Sequence, residues 1–176
     1  MKVVALSGSL RAGSSNAALL RAAAALAPEG LEVVFYEGLG GLPHFNPDLD
    51  AEGLAPPPPV AALRALLGSA QGFVVSCPEY AHGVPGAFKN GLDWVVSSGE
   101  LVGKPALLLN ASPTSGKLAQ AQVAETLSVM SATVLPESIT APFGRRPLDA
   151  RGLPADEGIA AALRSAMAAL AKALVA

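Results

Sequence analysis

Short apolar runs separated by amphipathic stretches dominate the hydrophobic pattern of this chain. The first run, MKVVALS at residues 1–7, is apolar at nearly every position and is followed by a glycine. Such a run predicts a strand buried on both faces, which is typical of a parallel sheet covered by helices. Four further apolar runs predict strands at residues 31–36, 72–77, 105–110 and 132–135.

Apolar residues at helical spacing fill the intervals between these strands. The predicted helices cover residues 16–27 and 60–67, begin near Pro85, cover residues 117–130 and follow Asp156. Asp156 is placed to cap the last helix, whose apolar residues share one face. Strands that alternate with helices predict an α/β fold in which right-handed crossovers connect parallel strands.

The alternation of strands and helices also predicts the domain organisation. Residues 37–59 are rich in Gly and Pro and predict no regular element, but the alternation continues beyond them. We find no internal repeat, and 176 residues suffice for one domain with a substantial core. The sequence therefore predicts a single domain over residues 1–176.

Charge and composition narrow the functional classes. The net charge is −2, and the longest basic run is the pair Arg145–Arg146, so neither a nucleic acid nor an anionic membrane surface is an expected partner. No stretch approaches the roughly 20 apolar residues of a membrane span, and we expect a soluble cytoplasmic protein. With one cysteine, Cys77, and two distant histidines, His44 and His82, we expect no metal site.

Candidate chemistry lies in three loops that leave the carboxyl ends of predicted strands. In open parallel sheets, ligands bind outside these ends, where the strand order reverses. The loops are GSLRAGSSN at residues 8–16, PEYAHGVP at residues 78–85 and ASPTSG at residues 111–116.

The first of these loops has the character of a phosphate site. Gly8 and Gly13 permit tight turns that converge backbone N–H groups, and Arg11 adds a planar guanidinium. Hydroxyl and amide donors follow at Ser9, Ser14, Ser15 and Asn16. The alternative is an ordinary turn with a serine cap. The loop lacks both the lysine of a Walker A motif and a G-x-G-x-x-G pattern, so neither an NTPase nor a Rossmann dehydrogenase is favoured.

The second loop has no phosphate character. Pro78, Glu79 and Tyr80 are suited to presenting backbone polar groups and one aromatic edge to a flat ligand. A purely structural turn is the alternative. We expect Cys77, which precedes this loop, to be a small buried residue rather than a nucleophile.

The first loop, together with PEYAHGVPGAFKNGLDW at residues 78–94, closely resembles the NADPH-dependent FMN reductase family. The resemblance implies a flavodoxin-like three-layer α/β/α sandwich with a five-stranded parallel sheet, bound FMN, and NADPH or NADH as electron donor. It assigns phosphate contacts to Ser9, Arg11, Ser14 and Asn16, with Ser15 beside them. It assigns flavin-ring contacts to Pro78, Glu79, Tyr80, Ala81 and His82, and Ser112 is a further candidate in the third loop.

Two departures from the family pattern bear on specificity. The family usually has asparagine after P-E-Y, whereas Ala81 offers only its backbone N–H. The third loop is usually glycine-rich, whereas this chain has Thr114 and Ser115. These differences leave the preferred donor and acceptor open.

The expected function is transfer of electrons from a nicotinamide donor through FMN to a quinone, free flavin, azo compound or chromate-like oxidant. The cofactor performs this chemistry, so we expect no catalytic side chain, and His82 is expected to be a turn residue rather than a proton donor. Family members are usually oligomeric, which implies a homodimer or homotetramer. The alternatives are a flavodoxin-type electron carrier, which the small net charge disfavours, and a non-catalytic nucleotide-binding domain, which Ala81 favours.

Overall fold

A computed structural model describes residues 1–112, 116–140 and 154–175. Its strands form one parallel sheet in the order β2-β1-β3-β4-β5, with the short strand β6 also paired to β4. The strands are β1 (Lys2–Ser7), β2 (Glu32–Tyr36), β3 (Gly72–Ser76), β4 (Pro105–Asn110), β5 (Thr133–Val134) and β6 (Ile139–Thr140). This order confirms the predicted flavodoxin-like α/β fold.

Helices cover both faces of the sheet. They are α1 (Ser15–Ala25), α2 (Pro58–Gly68), α3 (Gly86–Asp93), α4 (Lys117–Val129) and α5 (Glu157–Ala173). Apolar residues of α1 and α5 form one core with the sheet, and those of α2, α3 and α4 form the other. The Asp156 carboxylate accepts a hydrogen bond from the Ile159 N–H at 3.2 Å, which confirms the predicted cap of the last helix.

The central strands supply side chains to both cores in alternation. In β1, Val3 and Ala5 lie in the core with α1 and α5, whereas Val4 and Leu6 lie in the opposite core. All four residues are at most 3% exposed. The nearly continuous apolar sequence of β1 follows from this two-sided burial.

The fifth strand differs from its prediction. Instead of one strand over residues 132–135, two strands of two residues each, β5 and β6, pair with the same edge of β4. Pro136 lies between them and has no N–H to donate to a ladder. The Ser138 hydroxyl fills the gap, since its Oγ accepts the Leu108 N–H at 3.0 Å and donates to the Leu135 carbonyl at 2.8 Å.

The Gly- and Pro-rich segment after β2 contains two short 3₁₀ turns and is tied to α3. The Trp94 indole N–H and the Asn90 amide both donate to the Pro43 carbonyl, at 2.8 and 3.0 Å. Asn90 Oδ1 also accepts the Phe45 N–H at 2.8 Å, and the rings of Phe45 and Trp94 meet edge to face at 5.1 Å. Side-chain contacts to α3 therefore position this segment, which lacks the regular backbone hydrogen bonds of a strand or an α-helix.

Candidate functional site

The loops that follow β1, β3 and β4 meet at the carboxyl edge of the sheet because these three strands are adjacent. The Gly8 N–H donates to the Ser76 carbonyl at 2.9 Å. A Cβ at Gly8 would lie 2.6 Å from Cys77 Sγ, so only glycine permits this close approach. The sheet thus brings the first and second predicted loops into direct contact.

Asn16 connects all three loop origins. The residue is 8% exposed, and its Oδ1 accepts hydrogen bonds from the Ser76 hydroxyl at 2.8 Å and from the Ala111 N–H at 3.4 Å. The sequence predicts Asn16 as a phosphate contact, which stays a prediction, and does not predict this structural role. The available signal was Ser76, a polar residue inside an otherwise apolar strand.

The start of α1 presents unpaired backbone donors. Ser14 caps the helix by accepting the Ala17 N–H at 3.2 Å, and its own N–H donates to the Arg11 carbonyl at 3.1 Å. Among the described residues, the backbone N–H groups of Gly13, Ser15 and Asn16 have no acceptor. Unpaired donors of this kind at a helix N-terminus form a ready site for an anion.

Two further candidates of the first loop lie beside these donors. Ser9 is half-buried, and its Oγ accepts the Arg11 N–H at 3.4 Å. Arg11 is exposed, and its guanidinium forms no ion pair with any described carboxylate. The guanidinium is therefore available to a bound phosphate.

The second loop contains a tight turn from Tyr80 to Gly83. These two residues exchange both of their backbone hydrogen bonds, each at 2.9 Å. Between them, Ala81 has φ 49° and His82 has φ 63°. Positive φ at both central residues defines a type I′ turn, which normally requires Asn or Gly. Ala81 adopts this conformation at a cost in backbone energy.

Glu79 fixes this turn to the beginning of α4. Its carboxylate is 8% exposed and accepts the N–H groups of Leu118 and Ala119 at 3.0 and 3.2 Å. The other oxygen lies 3.4 Å from Nδ1 of His82, whose own side chain is 82% exposed. The pKa of Glu79 is lowered, mainly by the hydrogen bond from Ala119. The carboxylate is thus committed to protein donors, and the residue has only its backbone to offer a ligand.

Gln122 on α4 adds a second link to the turn. Its Oε1 accepts the Val84 N–H, and its Nε2 donates to the His82 carbonyl, each at 3.2 Å. The imidazole of His82 remains exposed while its backbone is held. Tyr80, with 56% of its surface exposed, stands at the start of the same turn.

The third loop is described only at its two ends. Ala111 is buried, Ser112 is half-buried, and the Ser112 N–H donates to Asn110 Oδ1 at 2.9 Å. Gly116 has φ 112°, and a Cβ there would collide with the Asn110 side chain. The predicted features at Thr114 and Ser115, and the Arg145–Arg146 pair, lie outside the described residues.

Cys77 lies between the first two loops but is not placed for nucleophilic chemistry. The side chain is buried, and this burial raises the pKa of the thiol to about 12. A thiolate is the nucleophilic form of cysteine, so at neutral pH the group stays protonated. The expectation of a small buried residue is confirmed.

These residues fit a flavin mononucleotide by their donor chemistry. A phosphate can be bound by the unpaired N–H groups of α1, the Ser9 hydroxyl and the Arg11 guanidinium. The turn of the second loop, which hydrogen bonds fix to α4, offers a rigid polar edge to the flavin ring. Within the described residues, no group of three or more His, Cys, Asp or Glu side chains could hold a metal ion. None of the helices in the described part is long and apolar enough to span a membrane.

Comparison with solved structures agrees with the fold. The flavoenzyme NAD(P)H:(acceptor) oxidoreductase FerB of Paracoccus denitrificans matches with a TM-score of 0.88 and 28% identity, over 99% of this chain and 97% of that chain. An oxidoreductase of Corynebacterium diphtheriae matches with a TM-score of 0.70 and 22% identity, over 99% of this chain and 96% of that chain. The second likeness concerns the fold alone.

Comparison with curated sequences covers a shorter segment. An NAD(P)H-dependent FMN reductase of Pseudomonas aeruginosa is 37% identical over 124 residues, 69% of this chain and 65% of the relative. A quinone reductase of Escherichia coli is 36% identical over 115 residues, 64% of this chain and 60% of the relative. The matched segments thus span less than two thirds of these relatives' length. The family model of the NADPH-dependent FMN reductases matches residues 1–145, and this chain belongs to that family.

Proposed function

We propose that this protein is an FMN-containing oxidoreductase that takes electrons from NADPH or NADH and passes them to a small acceptor. The observation that carries the proposal is the set of unpaired N–H groups at the start of α1, next to the held turn of the second loop. Family membership supports the same cofactor and the same class of donor.

In this proposal the first loop binds the FMN phosphate. The N–H groups of Gly13, Ser15 and Asn16 donate to its oxygens, and Arg11 compensates its charge. The Ser14 hydroxyl already accepts from Ala17, yet it retains a proton that it can donate. Ser9 contributes a further hydroxyl.

The second and third loops orient the ring. The backbone from Pro78 to His82 borders one edge, Tyr80 adds an exposed aromatic surface, and Ser112 borders the neighbouring strand end. Bound FMN itself supplies the hydride-accepting and electron-donating chemistry. We propose no catalytic side chain, since Cys77 is a protonated thiol and Glu79 is bound to α4.

The acceptor class and the cellular setting complete the proposal. Quinones, free flavin, azo compounds and chromate-like oxidants are the candidate acceptors, and the quinone reductase of Escherichia coli named above favours quinones. We further propose one domain over the whole chain, a homodimer or homotetramer, and a cytoplasmic location.

Steady-state oxidation of NADPH and NADH by FMN-loaded protein tests this function against a panel of quinones, azo dyes and free flavin. A reductase consumes the nicotinamide and reduces at least one acceptor. An electron carrier of the flavodoxin type binds FMN but leaves NADPH unoxidised. A non-catalytic nucleotide-binding domain shows no flavin absorbance after loading and desalting.

The phosphate assignment predicts a contrast between two variants. Arg11→Ala removes a hydrogen bond to a charged group, which contributes roughly 1.5–3 kcal/mol, so we expect FMN to bind about 10- to 150-fold more weakly. His82→Ala retains its backbone N–H and should weaken binding by less than about threefold. Flavin fluorescence quenching measures both dissociation constants, and similar losses in the two variants would contradict the assignment.

A further inference from the structure

A buried polar cluster joins α1 to the carboxyl ends of β3 and β4. It consists of the Asn16 side chain, the hydroxyl of the fully buried Ser76, and the backbone N–H of the buried residue Ala111. Ser76 ends the otherwise apolar strand β3, and in the described part of the chain its hydroxyl has one hydrogen-bond partner, Asn16 Oδ1. A buried hydroxyl costs free energy unless it is hydrogen-bonded, so this contact determines where the Ser76 hydroxyl points.

The donors of this cluster determine which end of the Asn16 amide faces them. A carboxamide carries an acceptor at Oδ1 and donors at Nδ2, whereas the Ala111 N–H can only donate. Oδ1 therefore faces the cluster, where it accepts the Ser76 hydroxyl at 2.8 Å and the Ala111 N–H at 3.4 Å. The rotated amide would oppose Nδ2 to the Ala111 N–H and leave that buried donor without an acceptor, which is unfavourable. Ser76 supplies the shorter of the two contacts that hold the amide in its orientation.

The Nδ2 group, at the other end of the amide, is available to a ligand. It has no acceptor among the described residues. In the same part of the chain, every buried side-chain nitrogen and oxygen atom has a hydrogen-bond partner, so Nδ2 is accessible to solvent. Asn16 is the second residue of α1, in the turn whose first backbone N–H groups are also unpaired. The side chain thus adds donors to the site proposed for the phosphate.

We infer that Ser76 is a positioning residue for the FMN phosphate and that it acts through Asn16. The Ser76 hydroxyl holds Oδ1 in the cluster, and Nδ2 then donates to a phosphate oxygen. The rotated amide would instead present Oδ1, an acceptor that repels the phosphate. The inference rests on the proposed function, which puts the phosphate at the start of α1. Because Ser76 is fully buried and acts only through the amide, it favours FMN over riboflavin, which has no phosphate.

Dissociation constants of FMN and riboflavin, measured by flavin fluorescence quenching for wild type and Ser76→Ala, test the inference. Ser76→Ala removes the shorter contact that orients the amide. We expect the Kd of FMN to rise about fivefold or more, and the Kd of riboflavin to stay within about twofold. A merely structural role would weaken both flavins alike. An unchanged ratio of the two constants would overturn the inference.

Ser138→Ala is the matched control, since it also removes a hydroxyl that forms hydrogen bonds within the sheet. Ser138 lies outside all three loops and has no assigned role in FMN binding. The variant should leave the ratio of the FMN and riboflavin constants unchanged, even though it lowers the free energy of unfolding. The same change of ratio as in Ser76→Ala would show that damage to the sheet causes it, and would overturn the inference.

Asn16→Asp tests whether Ser76 acts through Asn16. The carboxylate retains an acceptor for Ser76 and Ala111, which preserves the cluster, but its two oxygens are equivalent and neither donates. We expect the preference for FMN over riboflavin to vanish, with the Kd of riboflavin within about threefold of wild type. In this background, Ser76→Ala should alter the ratio by less than about twofold, because no donor remains to be oriented. A change of about fivefold there would overturn the inference.

The wild-type measurements separate this inference from the proposed function. Equal binding of FMN and riboflavin by wild type would contradict the phosphate site on which both depend. A wild type that prefers FMN, together with a Ser76→Ala variant that keeps the whole preference, would overturn the inference and leave the proposed function intact. If FMN-loaded wild type oxidises neither NADPH nor NADH, the proposed reductase function fails, whereas the flavin constants still decide the role of Ser76.

Discussion

Two residues of the second loop hold left-handed backbone conformations that their side chains do not favour. Ala81 has φ 49° and His82 has φ 63°, and histidine tolerates this region better than alanine does. Both lie in the turn proposed to border the flavin ring. Surrounding contacts maintain backbone strain at such a site. Here Glu79 of the loop accepts hydrogen bonds from the first turn of α4, and Gln122 of α4 donates to the His82 carbonyl in the turn.

The substitution Ala81→Asn should stabilise the protein because asparagine tolerates positive φ. We expect the free energy of unfolding to rise by about 0.5–1 kcal/mol, or about 1–4 °C in Tm for a chain of this size. Ala62→Asn, at an exposed position inside α2, is the control and should lose about 0.6 kcal/mol through helix propensity. Urea unfolding measures both changes. A loss of stability in Ala81→Asn would contradict the view that the positive φ of Ala81 lowers the stability of the protein.

Glu79 should make the stability of the protein sensitive to acid. Its pKa is lowered in the folded state from the ordinary value of 4.5, so the unfolded chain binds the proton more tightly. The stabilisation by the Glu79 carboxylate is fully present above pH 4.5, and it is lost as the pH falls through the lowered pKa of the folded state. We therefore expect Glu79→Gln to lower Tm at about pH 7, and the difference from the wild-type Tm to shrink as the pH falls below 4.5.

Thermal unfolding across this pH range measures the effect, with Glu125→Gln as an exposed control on α4. The control should follow the wild-type curve. A constant difference between Glu79→Gln and wild type at all pH values would contradict the role of the charge. The partners of Glu79, Leu118 and Ala119, lie 39 and 40 residues away in sequence, so only the fold reveals that this carboxylate is committed to a helix.

At the level of elements, the sequence predicts the strands whose bounds follow from burial, but it does not predict a feature that depends on one side-chain hydrogen bond. The strands β1, β2, β3 and β4 begin and end within one residue of their predicted bounds, because each is a compact apolar run in the sheet. The division of the fifth strand was missed. It depends on the Ser138 hydroxyl replacing a backbone partner opposite Leu108, a contact that leaves no mark in hydrophobic periodicity.

Removal of this hydroxyl should weaken the edge of the sheet. Ser138→Ala leaves the N–H of the buried strand β4 at Leu108 without its acceptor, which costs about 1–3 kcal/mol. Ser138→Thr retains a hydroxyl and should recover most of the loss, and Ser128→Ala, on the exposed surface of α4, should change stability by less than about 0.5 kcal/mol. Urea unfolding gives the energies, and hydrogen exchange at the Leu108 amide locates them. Unchanged exchange in Ser138→Ala would contradict this account.

Across the whole molecule, the core that α1 forms with α5 and the sheet holds the proposed phosphate site in place before any ligand binds. Leu19 and Leu20 of α1 are fully buried, and burial of each such side chain contributes about 1.5–3 kcal/mol. The same helix carries the unpaired N–H groups at its first turn. Core packing therefore positions these donors, and a phosphate that binds them pays little for ordering the backbone.

Preformed donors of this kind couple FMN binding to the stability of the entire fold. At a concentration 100 times its Kd, FMN should add about 2.7 kcal/mol to the free energy of unfolding, which is about 5–11 °C in Tm. Riboflavin has the ring but lacks the phosphate. If two hydrogen bonds to the charged phosphate contribute about 3 kcal/mol, riboflavin binds about 100-fold more weakly. At the same concentration it is then near its own Kd and adds only about 0.4 kcal/mol. Thermal unfolding at equal ligand concentrations measures the contrast. Equal shifts in Tm for FMN and riboflavin would show that the phosphate contributes nothing to binding, and would contradict the role assigned to the first loop.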